Sequence, residues 1–327
     1  MQTKKQAFGK YLTYVALIAV FVLVSLGVET GMISRHMRSL LVPICINVVL
    51  AVSLNLVIGF LGELSLGHAG FMSVGAYAGC LFSIKFAEIL PTVIRFPLAM
   101  IVGGITASIF GFIVGIPVLR LKGDYLAIVT LAFGEIIRSV IINLEFTGGA
   151  SGLKGTPQDS TFAWAFAVVM LTYCLITNLS TSKHGRAIHS LKENLIAAQS
   201  CGVDVNAYKL MAFVISAFFA GMAGVLSGHN FSILTAGEFD YNRSIEILVM
   251  VVLGGIGNLK GSIVSATVLT VLPESLKFLS DYRMLIYSVV LIIITILGSS
   301  QKWQSFKANF SLKEMFKGKA KVTANDQ

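Results

Sequence analysis

The sequence predicts an all-α polytopic membrane protein, a bundle of about eight to ten transmembrane helices, and three observations support this class. Of the 327 residues, 55% are hydrophobic and only 13% are charged, with a mean hydropathy of +0.82, more apolar side chain than a water-soluble core of this size requires. The apolar residues form successive runs close to the roughly 20 residues that a helix needs to cross the hydrocarbon. Glycine-rich runs interrupt some of them, which predicts broken helices within the bundle.

The apolar runs define ten candidate spans in chain order. They cover residues 11–28, 39–60, 69–87, 96–118, 125–145, 162–181, 207–229, 244–257, 261–279 and 284–299. The first follows several lysines, as a signal peptide would, but no small-residue cleavage site follows it, so we expect a first membrane anchor. The run 244–257 is too short to cross alone, and the Gly-rich run 61–70 is expected to lie as broken helix at membrane depth.

Basic residues indicate which ends of the spans face the cytoplasm. With a cytoplasmic N-terminus, 16 lysines and arginines fall on the cytoplasmic side and 7 on the other, a bias that favours this orientation. The predicted organisation is then a cytoplasmic N-terminal segment, 1–10, a membrane domain, 11–299, and a basic cytoplasmic tail, 300–327. The polar stretch 183–206 becomes a cytoplasmic loop of the membrane domain.

This polar stretch reads KHGRAIHSLKENLIAAQSCGVDVN and is flanked by apolar spans. Ile188, Leu191, Leu195 and Ala198 recur at helical spacing, which predicts one short amphipathic helix outside the bilayer. Gly202 is placed to end it. Such a helix can dock on a partner protein, or it can lie on lipid headgroups as an interfacial helix.

The motifs of catalysis and of cofactor binding are absent from the sequence. No G-x-x-x-x-G-K-[ST] phosphate loop, H-E-x-x-H or G-x-S-x-G is present, so we expect a non-enzyme with no catalytic residue, cofactor or metal. The four cysteines have no spacing of a metal site or a disulfide framework. The basic residues lie beside apolar spans and form no continuous patch, which argues against a nucleic-acid partner and leaves the lipid bilayer.

Few ionisable residues occur inside the predicted spans. Glu135 and Arg138 are three residues apart on one helix face, so each offsets the desolvation of the other. They either line a polar translocation route or form a structural pair. Glu63 and His68, in the Gly-rich run 61–70, are candidates for the same route or its cytoplasmic mouth.

Four runs of the sequence resemble the high-affinity branched-chain amino acid ABC permeases, in the order found in that family. They are NLVIGFLGELSLGHAGFMSVGAY at 55–77, LRLKGDYLAIVTLAFGEIIRSVI at 119–141, LKENLIAAQSCGV at 191–203 and VVLGGIGNLKGSIVSA at 251–266. The resemblance covers nearly all of residues 11–299. It implies a fold of the ABC importer permease type in a bacterial cytoplasmic (inner) membrane.

The resemblance also implies the partners and the residues that meet them. The partners would be a second, related permease in a heterodimer, two cytoplasmic ATP-binding subunits that supply the energy, and a periplasmic or surface substrate-binding protein. The family's ATPase-coupling loop corresponds here to Leu191, Glu193, Ile196, Ala197, Ala198 and Gly202. Ala197, Ala198 and Gly202 match the Ala-Ala-x-x-x-Gly part of its signature, whereas Ile196 replaces the usual acidic residue.

The cargo implied is a branched-chain amino acid, whose zwitterionic end requires a few dipoles along the path. The broken helices supply candidates, and with the charged pair the predicted path residues are Ser65, Gly67, His68, Glu135, Arg138, Gly254 and Gly257. The glycines can instead serve close helix crossing alone. Three other functions remain open: a urea or short-amide ABC permease, a stand-alone ion-coupled carrier, and a scaffold for the other permease.

Overall fold

The structure is a computed structural model that describes residues 2–30, 34–118, 120–121, 123–275 and 292. Contacts divide the chain into two units, Met1–Val271 and Leu272–Gln327. Apart from position 292, the predicted span 284–299 and the predicted tail 300–327 lie outside the described residues. The architecture below is that of the first unit, together with the full extent of its last helix.

The described residues are mostly helical. The helices are α1 (Gln2–Glu29), α2 (Arg35–Asn55), α3 (His68–Lys85), α4 (Thr92–Val118), α5 (Asp124–Asn143), α6 (Phe162–Thr181), α7 (Lys183–Glu193), α8 (Leu195–Ser200), α9 (Val205–Gly228), α10 (Tyr241–Gly254) and α11 (Leu259–Ser275). A π-helical turn, Leu56–Leu61, continues α2, and short 3-10 turns occupy Glu145–Thr147, Gly149–Ser151 and Ala236–Phe239. Each of the nine predicted spans from 11–28 to 261–279 corresponds to one helix, which confirms the helical class.

Five helices of the described residues are long and apolar enough to cross a membrane. They cover Met37–Leu61, Thr92–Val118, Asp124–Asn143, Phe162–Thr181 and Val205–Gly228. Two shorter apolar helices cover Thr13–Val28 and Leu259–Pro273. The chain is therefore a multi-pass membrane protein, and the total of eight to ten spans stays a prediction.

The centre of the bundle is formed where α3, α4 and α9 pack against each other. Glycines permit this packing, since a methyl group on Gly75 would lie 2.3 Å from the Cα atom of Gly221. A methyl group on Gly224 would lie 2.0 Å from the carbonyl oxygen of Met72. The backbones of these helices therefore approach closely because no side chain separates them at these positions.

Two helical hairpins turn at the predicted breaks. In the first, α2 and its π-helical turn end at Gly62, and α3 begins at His68. The φ of Gly62 is 81°, a left-handed conformation that favours glycine. In the second, α10 ends at Gly254 and α11 begins at Leu259 after a turn that contains Gly257, with φ 84°. With 14 residues, α10 is only about 21 Å long, as the short apolar run predicted.

A short antiparallel strand pair, which the sequence analysis did not predict, joins two loops. Strand β1 (Leu153–Lys154) precedes α6, and β2 (Ile233–Leu234) follows α9. Leu153 pairs with Leu234 in this ribbon. The hydroxyl of Tyr77 donates to the carbonyl oxygen of Leu234 at 3.1 Å, so the ribbon is fixed to α3.

Candidate functional site

The predicted docking segment contains two helices instead of one. Helix α7 ends at Glu193, and α8 begins at Leu195 after Asn194, whose backbone is extended with φ −156° and ψ 106°. The Asn194 Oδ1 atom accepts hydrogen bonds from the backbone N–H groups of Ile196 and Ala197, at 3.1 and 3.0 Å. The expectation of one continuous helix is wrong because asparagine satisfies the first N–H groups of a helix better as a cap than from its interior.

One face of this segment is buried and the other is exposed. Ile188, Leu191 and Ala198 have exposed fractions of 0%, 5% and 5%, so they attach α7 and α8 to the bundle. Ile196 is 75% exposed, and its neighbour Ala197 is exposed as well. A large apolar side chain is thus presented outward from a helix that is too short and polar to cross a membrane.

The end of α8 has the geometry that the sequence predicted for Gly202. This residue has φ 81°, donates its N–H to the carbonyl oxygen of Gln199 at 3.0 Å, and is followed by Val203, which donates to that of Ala198 at 3.1 Å. These two bonds form a Schellman motif, which uses glycine because of the left-handed backbone. The segment therefore ends in a defined turn before α9.

Lys192 joins the docking segment to the first hairpin. Its Nζ atom donates a hydrogen bond to the backbone carbonyl oxygen of Gly59 at 2.9 Å. Its side chain also packs over Gly62, where a methyl group would lie 2.8 Å from the Lys192 Cγ atom. Carbonyl groups at a helix end lack partners within the helix, and a lysine is well suited to satisfy one.

The turns of the two hairpins meet at Asn55. The Asn55 Oδ1 atom accepts from the backbone N–H of Gly257 at 2.8 Å, and its Nδ2 atom donates to the hydroxyl of Ser262 at 2.7 Å. A methyl group on Gly59 would lie 1.9 Å from Asn55 Oδ1 and 2.5 Å from the Gly257 nitrogen. We call the contact among Asn55, Gly59 and Gly257 the hairpin junction. Of the predicted path glycines, Gly254 lies beside it, packed against Gly261.

The other predicted path residues of the first break are packed at the start of α3. Ser65, Gly67 and His68 are all buried, and the His68 Nε2 atom lies 2.9 Å from the hydroxyl oxygen of Ser53. A methyl group on Gly67 would lie 2.7 Å from the carbonyl oxygen of Thr130. The break is therefore held between α2 and α5, separately from the contacts of the hairpin junction.

An ion pair between Glu63 and Lys209 fastens the same break to α9. The Lys209 ammonium donates to Glu63 Oε1, and the side chains are only 4% and 13% exposed for Lys209 and Glu63 respectively. Lys209 is one of the 16 lysines and arginines that are predicted on the cytoplasmic side, and their distribution does not predict this pairing. The available signal was a lone lysine at the start of an apolar helix and a lone glutamate in a Gly-rich break.

Glu135 and Arg138 form the pair that their spacing predicted. The Arg138 Nε atom donates to Glu135 Oε2 at 2.8 Å, and about a third of each side chain is exposed, 29% for Glu135 and 32% for Arg138. Both lie on α5. Only 28% of the most apolar 18-residue stretch of this helix is buried inside the bundle. The pair therefore lies on a largely exposed helix, at a separate place from the buried residues Ser65, Gly67 and His68 of the first break. Within the described residues, no group of three or more His, Cys, Asp or Glu side chains is placed to hold a metal ion.

Comparison with known proteins identifies the family of this arrangement. The family described as the branched-chain amino acid transport system permease component matches residues 36–295. The chain belongs to this family. It is thus a permease component, a transport subunit with no catalytic role, and the ABC permease family implies ATPase and binding-protein partners.

The chain is similar to the following proteins. The chain is 33% identical to the high-affinity branched-chain amino acid transport system permease protein LivM of Escherichia coli (strain K12), over 81% of this chain and 69% of that protein. It is 25% identical to the ribose import permease protein RbsC of Haemophilus influenzae, over 91% and 97% of the two chains. PsaBC from Streptococcus pneumoniae in complex with Fab aligns with a TM-score of 0.47 and 14% identity, over 88% of this chain and 99% of that one.

Proposed function

We propose that the chain is the inner-membrane permease subunit of an ATP-driven importer of branched-chain amino acids in a bacterial cell. Its partners are a second, related permease, two cytoplasmic ATPases, and a periplasmic or surface binding protein. The N-terminus and the segment α7–α8 face the cytoplasm, as the distribution of basic residues supports. The observation that carries the proposal is the family match over residues 36–295, and the hydrogen bond from Lys192, in the segment α7–α8, to Gly59 at the hairpin junction supports the route of coupling.

The surface proposed to dock on the ATPase is the exposed side of α7 and α8. Glu193, Ile196 and Ala197 supply it, because they are exposed, while Leu191 and Ala198 are buried and transmit displacement to the bundle. An exposed isoleucine surrounded by polar groups is the kind of apolar anchor that fills a pocket in a partner. Gly202 sets the turn at the end of this surface.

Movement of the docking segment reaches the hairpins through contacts that already exist. A displacement of α7 acts on the Gly59 carbonyl through Lys192, and from there on Asn55 and Gly257. Nucleotide-driven closure of the ATPases would shift the equilibrium between two arrangements of the hairpins, which is alternating access. The glycines at the junction leave no side chains between the backbones, so small shifts are transmitted directly.

The charged pair on α5 indicates which side of the subunit faces the translocation path. Ionised side chains at membrane depth face protein or water and not lipid. About a third of each of the Glu135 and Arg138 side chains is exposed in the single subunit, so we propose that their face of α5 lies against the second permease and the path between the two subunits. As a purely structural pair, they would pack against the partner without contacting cargo.

Reconstitution tests the proposed function. The chain would be placed in liposomes with the second permease, the ATPases and the binding protein of its own system, and uptake of labelled L-leucine, urea and D-ribose would be compared. We expect ATP-dependent accumulation of leucine and at least tenfold less of the other two. Accumulation of leucine without any ATPase would establish a stand-alone carrier instead, and preferential uptake of urea or ribose would reassign the cargo.

Adding a methyl group at two predicted path glycines tests whether they act in transport. Gly67→Ala and Gly254→Ala place that group 2.7 and 2.5 Å from backbone atoms that cannot move independently, and overpacking of this kind costs about 1–3 kcal/mol. We expect uptake per assembled complex to fall at least threefold, as measured by transport normalised to purified complex. Gly134→Ala is the matched control, because the added methyl would meet no atom closer than 3.8 Å, an ordinary van der Waals distance. If uptake falls only in proportion to assembly, these glycines serve packing alone.

A further inference from the structure

A cavity of about 480 Å³ opens at the end of the bundle opposite the docking segment. Helix α2 runs from Pro43 on the cavity wall to the turn that contacts Lys192, and α9 runs from the end of α8 to Ser227 on the wall. The volume lies within the range of about 300–1,000 Å³ that is usual for small-molecule pockets. We call this cavity the vestibule.

The two sides of the vestibule differ in chemistry. Helices α2 and α3 and the loop after α9 supply its apolar side, with Ile46, Met72 and Phe231, and Phe239 adds an apolar residue within the turn that carries Glu238 and Asp240. The turn before α10 and the start of that helix supply its charged side, with Glu238, Asp240, Arg243 and Glu246. A ligand that fills the space would need an apolar body and a charged end.

The guanidinium on the charged side is already engaged. Arg243 donates to Glu246 Oε2 at 2.9 Å and to the Oδ1 atom of Asn47 on α2. Asn47 in turn donates to the hydroxyl of Thr270 at 2.8 Å. These bonds hold the start of α10 against α2 and α11, so the vestibule has a fixed charged wall.

The carboxylate of Glu238 has weaker compensation. It accepts from the hydroxyl of Thr235 at 3.4 Å, at the long end of hydrogen-bond distances. Desolvation raises the pKa of the Glu238 carboxyl, and the Thr235 hydroxyl and the Arg243 charge offset part of that rise. The vestibule lining thus contains three carboxylates and one guanidinium, which leaves an excess of negative charge for a cationic group.

We propose that the vestibule is a transient binding site for the branched-chain amino acid, in which Glu238 binds its ammonium group and the apolar side, with the exposed ring of Phe231, holds its side chain. Arg243 lies on the same wall and faces the ligand's carboxylate. The proposal rests on the proposed function, because it names where the imported amino acid pauses after its delivery.

Protection of an introduced thiol tests this site in the assembled complex. Gly237→Cys places a thiol on the vestibule lining at a position where an added side chain meets nothing within 4 Å. Exposed Cys201, at the opposite end, would first be replaced by serine. We expect L-leucine, added without the binding protein to complexes in vesicles, to slow labelling by a membrane-impermeant maleimide at least fivefold. Glu145→Cys is the matched control, because Glu145 is exposed and lies outside the vestibule lining.

Leucine analogues and a charge change identify the group that is bound. We expect 3-methylbutylamine, which lacks the carboxylate, to protect, and 4-methylpentanoate, which lacks the ammonium group, to protect at least tenfold less well. Adding Glu238→Gln should raise the leucine concentration for half-protection about tenfold.

Absence of protection, equal protection of the Glu145→Cys thiol, or better protection by 4-methylpentanoate would each overturn the site. If ATP-driven leucine uptake persists while protection is absent, the vestibule assignment alone fails; absence of uptake by the complete system refutes the proposed function.

Discussion

Replacing Lys209 with methionine is expected to remove most of the folded permease from the membrane. The substitution keeps the length and packing of the side chain but leaves the Glu63 carboxylate without its buried counter-charge. Breaking a buried ion pair by removal of one partner costs about 3–5 kcal/mol, a large part of the stability of a typical protein. The abundance of full-length protein in membranes, and its thermal unfolding in detergent, measure the loss.

The companion change separates charge burial from packing. In the double variant Lys209→Met with Glu63→Gln no charge is left unpaired, so we expect membrane abundance to recover to at least half of the wild-type level. Lys154→Met, at an exposed lysine, is the control and should leave abundance unchanged. If Lys209→Met alone is as abundant as wild type, the ion pair does not stabilise the first hairpin against α9.

Replacing Ile196 with lysine should separate ATP hydrolysis from uptake. The isoleucine is the exposed apolar residue of α8, and loss of an interface anchor costs about 2 kcal/mol or more, which corresponds to roughly 30-fold weaker docking. We expect uptake by the assembled system to fall at least tenfold while the permease remains inserted in the membrane. Leucine uptake, and ATP hydrolysis in the presence and absence of the binding protein, are the measurements.

Two further variants locate the effect within the docking segment. Gly202→Pro cannot adopt the φ of 81° or donate the N–H bond to Gln199, so it should disrupt the same surface. Ser151→Lys adds the same charge to an exposed position outside the docking segment and should transport normally. Full uptake by both Ile196→Lys and Gly202→Pro would exclude α8 as the place where the ATPase acts.

The turn at Gly202 shows how far local sequence reasoning reaches. A glycine after a short apolar pattern predicted a helix end, and the structure has a Schellman motif there. The same reasoning joined α7 and α8 into one helix, because hydrophobic spacing continues across Asn194. The sequence does not show whether an asparagine caps a helix or lies inside one. Only the backbone geometry distinguishes the two cases.

By itself, the sequence determined the helical class, the positions of the spans, the two broken hairpins and the exposed polar segment. These properties depend on composition and on hydrophobic periodicity within about 20 residues, and both can be read from the local sequence. The tertiary structure alone decided which groups meet: Lys192 with Gly59 across 133 positions, and Lys209 with Glu63 across 146. Such pairings depend on how whole helices pack, and small residues permit close packing of one helix on several neighbours, so local patterns do not specify the partner.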